Sequence, residues 1–434
     1  MGICLVMDPG ASNRQIPPPE WGQSIGFLRQ SSNTSGDDQD EESLTLYIED
    51  SKEIASWMSR AASDGRFGID LEFIRERTFY PKLALIQISV GSDLALIDPL
   101  AGLELGPILE TVGEPSITKV VHAGAQDLEI LENVAKQTPC NVFDTQIAAS
   151  FLGLGLQPSY SATCEHFLES VVHKGESWTD WLRRPLSDSQ ERYALDDVRH
   201  LLPLHDHLQA QLSSEGRLEW AKAEMQKYDD KSTYHPLIDD RIRRVKRSGS
   251  LDRKGLTLLR ELYRWREDEA KRCDRPRRRV LSDELLVEIS RRAPTSIDSF
   301  ERIRGLDRRD VGRFGEDLIV AVKQGLETPE EQFPPLLKKR RLEPREEAAL
   351  ELTTSALRAL CRAERIAPPL VGKSEDVENL IRSYWEGEID TSEHRLLTGW
   401  RGELFGNKLL GFLAGDFHIA IDADSGFPEL RSSR

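Results

Sequence analysis

The stretch "FGIDLEF", residues 67–73, places Phe67, Ile69, Leu71 and Phe73 at every second position. Such a period belongs to a strand with one face in a core. Gly68, Asp70 and Glu72 then share the other face. Two carboxylates at this spacing stand about 6.5–7 Å apart at Cα and point the same way. They repel unless water solvates them or a cation lies between them. Hard divalent ions such as Mg²⁺ and Mn²⁺ take oxygen ligands. Taken alone, the pair reads as a solvent-facing strand that carries two acids.

Two later stretches add acids in similar settings. "VVHAGAQDLEIL" is an apolar strand, a short turn with a glycine, and Asp127 at a helix start. Strand ends that lead into helices are favoured ligand positions in α/β folds, although an acid there also caps a helix and favours its dipole. "SQERYALDDVRHLL" puts Tyr193 and Asp197 one helical turn apart, with Asp196 one residue off that face. Asp144 in "VFDTQ" reads as an N-cap with Thr145. His122 reads as a packed strand-end residue, and Asp98 as a turn residue before Pro99. Trp178 and Trp181 lie upstream of the Tyr193 helix, where aromatics either stack on bases or pack a core.

The order of elements frames these motifs. A helix is expected over 51–62, then strands over 66–74, 82–90 and 94–97, joined by short connections that favour antiparallel pairing. Alternating units follow: helix 104–112, strand 117–123, helix 126–135, strand 141–143, and helices over 145–152, 161–168 and 187–214. This pattern predicts a mixed sheet flanked by helices. After Tyr228 the composition shifts. From residue 251 the apolar spacing of Leu256, Leu259, Leu262, Tyr263, Trp265, Leu285, Leu286 and Ile289 predicts a small helical bundle. The Pro-rich segment "EQFPPLLKKRRLEPREE" (331–347) separates a second helical unit.

Charge narrows the partners. The 434-residue chain carries a formal net charge of −16, which by itself argues against nucleic acid. Yet residues 239–279 hold 16 Lys and Arg against 8 Asp and Glu, and "LLKKRR" follows at 336–341. Phosphate contacts need local charge, so Arg277, Arg278 and Arg279 are candidates for RNA contacts, with a solvated surface as the plainer account. Five scattered cysteines without paired spacing point to reduced thiols in a cytoplasm and to no zinc site. No apolar run reaches the roughly 20 residues of a membrane helix, and "ICLVM" is too short and lacks the basic flank of a leader.

Together, "FGIDLEFIRERTFYPKLALIQISV", "VVHAGAQDLEIL", "VFDTQIAASFLG" and "KGESWTDWLRRPLSDSQERYALDDVRHLLPL" resemble the ribonuclease D family across about residues 65–215. That family comprises 3′→5′ exoribonucleases of the four-acid superfamily. "LLRELYRWREDEAKRCDRP … LSDELLVEISRRAPTSIDSFERIRGL" is similar to the HRDC module, and "HRLLTGWRGELFGNKLLGFL" resembles a diverged second copy.

The resemblance implies a ribonuclease H-like mixed-sheet exonuclease domain followed by two all-α HRDC-type bundles. The expected layout is a flexible extension over 1–42, the exonuclease domain over 43–227, a linker over 228–250, and HRDC domain 1 over 251–328. A second linker over 329–346, an HRDC-like domain over 347–415 and a tail over 416–434 complete it.

Carried over by position, Asp70, Glu72, Asp127 and Asp197 would bind two divalent ions, Mg²⁺ or Mn²⁺. Tyr193 would orient the attacking water, as in the tyrosine subgroup, while Leu71 departs from the Thr found in many relatives. The implied activity is release of 5′-mononucleotides from RNA 3′ ends, in processing of tRNA precursors and other small RNAs. The implied enzyme is monomeric and cytoplasmic. Two alternatives stand beside this reading: a DNA 3′→5′ exonuclease of the proofreading or Werner type, and a non-catalytic nucleic-acid adaptor.

Overall fold

The computed structural model describes residues 45–172, 175, 179–336, 342–387 and 389–433. The expected extension over 1–42, Trp178 and the basic residues of 338–341 lie outside them.

Six strands form one mixed sheet: β1 (Thr45–Ile48), β2 (Arg66–Ile74), β3 (Lys82–Val90), β4 (Asp93–Ile97), β5 (Thr118–Val121) and β6 (Val142–Asp144). Their spatial order is β1-β4-β3-β2-β5-β6. The short connections make β2–β3 and β3–β4 antiparallel, as the loop lengths require. The pairs β2–β5, β5–β6 and β1–β4 are parallel. Strand β2 is therefore where the sheet changes from antiparallel to parallel. The edge strand β1 is not evident from its four residues, because pairing with β4 makes it a strand.

Helices α1 (Ser51–Asp64), α2 (Gly106–Val112) and α3 (Ala125–Ala135) belong to the core on one side of the sheet. Ile54, Trp57, Met58 and Ala61 of α1 meet Phe67, Ile69 and Leu71 of β2 in that core. Helices α4 (Thr145–Ser150) and α5 (Tyr160–Leu168) follow, then α6 (Asp188–Arg199) and α7 (Leu201–Ser214). The last pair was expected as one helix. The chain breaks at His200 because Pro203 lacks an N–H and its ring would meet the carbonyl one turn back. In the first turn of a new helix that N–H is not needed. The break lets α6 lie over the second face of the sheet, where Ala194, Leu195 and Val198 pack with Leu85, Leu96 and Val120.

Residues 228–250 do more than link. They follow α8 (Leu218–Met225) and form α9 (Lys231–Tyr234) and α10 (Ile238–Arg243). Tyr228 and Tyr234 are buried in the first core, and Ile242 and Val245 in the next. The predicted bundle comprises α11 (Arg253–Arg272), α12 (Arg277–Val280), α13 (Asp283–Arg292), α14 (Ile297–Glu301) and α15 (Arg308–Glu327). Its core is its own, built on Leu259, Leu262, Leu286, Ile289, Phe300 and Leu318.

The second helical unit is α16 (Pro344–Ala363), α17 (Pro368–Val371), α18 (Ser374–Glu386), α19 (Gly399–Arg401) and α20 (Asn407–Ala414). The expectation of a tail over 416–434 is corrected: an antiparallel hairpin, β7 (Phe417–Ile421) and β8 (Pro428–Ser432), closes this unit. Leu430 and Ile419 pack on its core, which explains why so short and polar a stretch is ordered as strands. This unit shares the exonuclease-side core. Trp400 packs against Phe151 and Trp220, and Arg401 pairs with Glu224 at 2.7 Å.

Candidate active site

Strand β2 delivers Asp70 and Glu72 to the face covered by α6. Opposite the Glu72–Phe73 step, β3 carries one extra residue, Ala84, and such a bulge bends a strand where a site needs it. Gly68 is required by close packing: a Cβ there would lie 2.3 Å from Ser89 Oγ and 3.1 Å from Leu201 Cβ. The first residue of α7 thus seats directly on the strand that carries the acids.

Helix α6 supplies Asp197 and Tyr193. It is started by Ser187, whose hydroxyl accepts from the Gln190 N–H, while the Gln190 side chain accepts from the Ser187 N–H. Ligand oxygens of Asp70, Glu72 and Asp197 lie within 4.8 Å of one another. The Tyr193 hydroxyl donates to Asp197 and works against the upward shift of that carboxyl.

Asp127 enters from the first turn of α3. It stands outside the tightest group, but its charge acts on both Asp70 and Glu72. The turn that aims it contains Ala123 at φ +57°, a conformation costly for a residue with a Cβ. Asp144 holds this turn. Its Oδ1 accepts from the Ala123 N–H at 3.0 Å and from the Gln146 N–H at 2.9 Å, and its Oδ2 accepts from the Tyr228 hydroxyl at 2.7 Å. Asp144 is thus an N-cap with no lone acidic role. His122 is packed, with its ring nitrogens on Thr145 Oγ1 and the Pro158 carbonyl. Asp98 caps the turn after β4 and also pairs with Arg184 and the Tyr47 hydroxyl. Trp181 is buried beside Tyr193.

Burial and mutual repulsion shape the acids. Desolvation, then the charges of Asp127, Asp197 and Glu72, pushes Asp70 well above the carboxylate range. Burial and the charges of Asp197 and Asp127 raise Glu72 to about 8. Burial raises Asp127 to about 7. Burial and the neighbouring Asp196 raise Asp197 to about 7. A cation relieves such a cluster. Hard divalent ions bind oxygen at roughly 2.0–2.6 Å, so oxygens this close together can share one. The all-oxygen donor set fits such an ion and gives no place to a soft metal.

A groove of about 520 Å³ runs between the sheet domain and the α11–α15 bundle. Arg75, Phe79, Tyr80, Lys136, Arg277 and Arg278 are among its lining residues. It approaches the acids through Arg75, whose charge acts on Asp127. The β2–β3 loop "RERTFY" supplies three of these residues, and its basic and aromatic composition was the overlooked signal. Much of the basic stretch is paired with acids of the same bundle, Arg266 with Asp283 in its interior and Arg272 with Glu269 on its surface. Arg277 is itself held by Glu267 at 2.8 Å and lies over the Phe79 ring at 4.4 Å. Arg278 and Arg279 are exposed.

A mixed sheet whose strand β2 presents two acids to a helix bearing a tyrosine and a third acid defines a metal-dependent 3′→5′ exonuclease domain. The family model for the 3′-5′ exonuclease matches residues 46–213, and that for the HRDC domain matches residues 255–322. Ribonuclease D of Gluconacetobacter diazotrophicus is 34% identical over 379 residues, covering 87% of this chain and 95% of the relative. Ribonuclease D of Granulibacter bethesdensis is 34% identical over 378 residues, covering 86% and 94%. The crystal structure of Escherichia coli RNase D, described as an exoribonuclease involved in structured RNA processing, is similar with a TM-score of 0.73. Its identity is 29%, and the match covers 86% of this chain and 99% of that one. The chain belongs to the ribonuclease D family and is a 3′→5′ exoribonuclease. Among the described residues no helix is long and apolar enough to cross a membrane.

Proposed function

We propose that Asp70, Glu72, Asp127 and Asp197 hold two divalent ions, Mg²⁺ or Mn²⁺, and that Tyr193 orients the water that attacks the terminal phosphodiester. The observation that carries this reading is the close group of Asp70, Glu72 and Asp197, with the Tyr193 hydroxyl on Asp197. Asp70, on which the charges of all three other acids act, would be shared by both ions, Glu72 and Asp197 would complete the first site, and Asp127 would serve the second. When bound, the ions stabilise charge on the attacking and leaving oxygens and make the attacking water more acidic. The protein's share is placement. Tyr193, one turn from Asp197 on α6, keeps its hydroxyl beside the site and directs a lone pair of the water at phosphorus. The product is a 5′-mononucleotide.

The RNA 3′ strand approaches along the groove between the sheet domain and the bundle. Phe79 and Tyr80 offer rings to bases, and Arg75, Lys136, Arg277 and Arg278 offer charge to phosphates. Arg279 is exposed next to them and adds to the same field. Precursors of tRNA and other small structured RNAs are the natural substrates. Digestion of matched 3′-extended RNA and DNA with Mg²⁺, with and without EDTA, tests the reading. RNA shortened from its 3′ end to 5′-mononucleotides, with EDTA stopping the reaction, is the expected result. Preferential digestion of the DNA would turn the assignment toward a DNA exonuclease.

A further inference from the structure

Gln87 stands on β3 directly opposite Asp70 in the antiparallel register. Facing residues of such a pair project to the same side, with Cβ atoms about 4.5–5.5 Å apart. The next pair shows that side: a Cβ on Gly68 would meet the Ser89 hydroxyl. Gln87 and Ser89 therefore share the acid-bearing face with Asp70. Both are buried, with exposures of 0% and 1%. Yet Gln87 Nε2, Gln87 Oε1 and Ser89 Oγ have no hydrogen-bond partner among the described residues.

Burying a carboxamide and a hydroxyl unpaired is costly, and Leu85, Ile86, Ile88 and Val90 show that this strand otherwise takes apolar residues. A carboxylate that ligates a cation needs its orientation fixed by an outer partner. We propose that the Gln87 carboxamide fixes Asp70 in this way, a role that rests on the reading of Asp70 as a metal ligand. Nε2 donates to the Asp70 carboxylate, by a side-chain rotation or through one bridging water. Oε1 accepts from the Ser89 hydroxyl, so the chain Ser89–Gln87–Asp70 satisfies all the unpaired atoms. Gln87 is a positioning residue: it touches neither substrate nor the reacting atoms.

The test compares Mn²⁺ binding by calorimetry with thermal midpoints of the metal-free full chain, for wild type, Gln87→Leu, Gln87→Met and Asp70→Asn. Both Gln87 variants keep the volume and remove the donor. The expected result is a metal-free midpoint at or above that of wild type, with Mn²⁺ affinity about 10- to 100-fold weaker. Single-turnover RNA cleavage at limiting Mn²⁺ should fall in parallel and recover as Mn²⁺ is raised. Mn²⁺ affinity within about twofold of wild type in both variants, whatever their midpoints, overturns the role of Gln87. Equal Mn²⁺ binding by wild type and Asp70→Asn overturns the metal-site reading itself, and this inference with it.

Discussion

The two faces of β2 alternate along one short stretch and do opposite work. On one face Phe67, Ile69 and Leu71 are almost wholly removed from water and join α1 to the sheet. On the other, Asp70 and Glu72 are crowded against Asp197 and Asp127, with their protons held more tightly than in water. The first face stabilises the fold; the second stores repulsion that a cation relieves. Stability and activity are thereby divided between odd and even residues of one strand, and substitutions should separate them.

The largest effect expected is on the acid face. Asp70→Asn should lower nucleotide release by at least about a thousandfold, the scale of losing a group that governs transition-state charge. Its metal-free thermal midpoint should not fall, because the amide removes the cost of burying an ionisable carboxyl among other acids. A matching loss of midpoint would merge the two faces into one role. Tyr193→Phe should lower kcat by roughly 100-fold while Mn²⁺ binding persists, since it removes a hydroxyl and no ligand. Stopped-flow cleavage and calorimetry measure the two separately.

The apolar face should behave in reverse. Ile69→Ala should cost about 2–5 kcal/mol of stability in denaturant unfolding. Nucleotide release per folded molecule should stay within a few-fold of wild type at low temperature. A loss of activity as large as that of Asp70→Asn would show that the core face sets the geometry of the acids.

The pH dependence sharpens the same contrast. Folded Glu72 titrates near 8, and folded Asp127 and Asp197 near 7, against about 4 for these carboxyls in an unfolded chain. Between about 4 and 8 the folded state holds protons that the unfolded state has released. The metal-free enzyme should therefore lose stability as pH rises through this window, and Asp70, also raised, adds to the same trend. Mn²⁺ competes with those protons, so the midpoint gain it confers should grow from pH 5 to pH 8. A gain that does not change with pH would place ion binding elsewhere. The smallest effect belongs to the groove. Arg278→Ala should raise KM for RNA a few-fold and reduce its salt dependence, with kcat unchanged.

Local pattern carried much of this molecule. The alternation in "FGIDLEF" marked both faces of β2, and β2 and β3 span residues 66–74 and 82–90, as expected from their apolar runs. Asp144 was readable as an N-cap because Thr145 begins a helix after a strand. Other features depend on partners distant in sequence. β1 is too short to be distinguished from the polar stretch around it until β4 pairs with it. Tyr228, in an apparent linker, becomes structural only because its hydroxyl reaches Asp144 across 84 positions of chain. The C-terminal hairpin exists because α16 and α20 give Ile419 and Leu430 a surface to cover. Arg277 looked like a free cation in the sequence, but the fold had already committed it to Glu267.

By itself the sequence determined which residue types face which way along each element, because side-chain direction follows from backbone period alone. The family, and with it the four acids and the tyrosine as site candidates, came instead from the resemblance that the ordered motifs carry. Only the tertiary structure decided that Asp197 comes within ligand distance of Asp70 and Glu72 while Asp127 stands beside them. It alone set Gln87 unpaired behind Asp70. Convergence and burial arise from packing between elements far apart in the chain, and no local period encodes them.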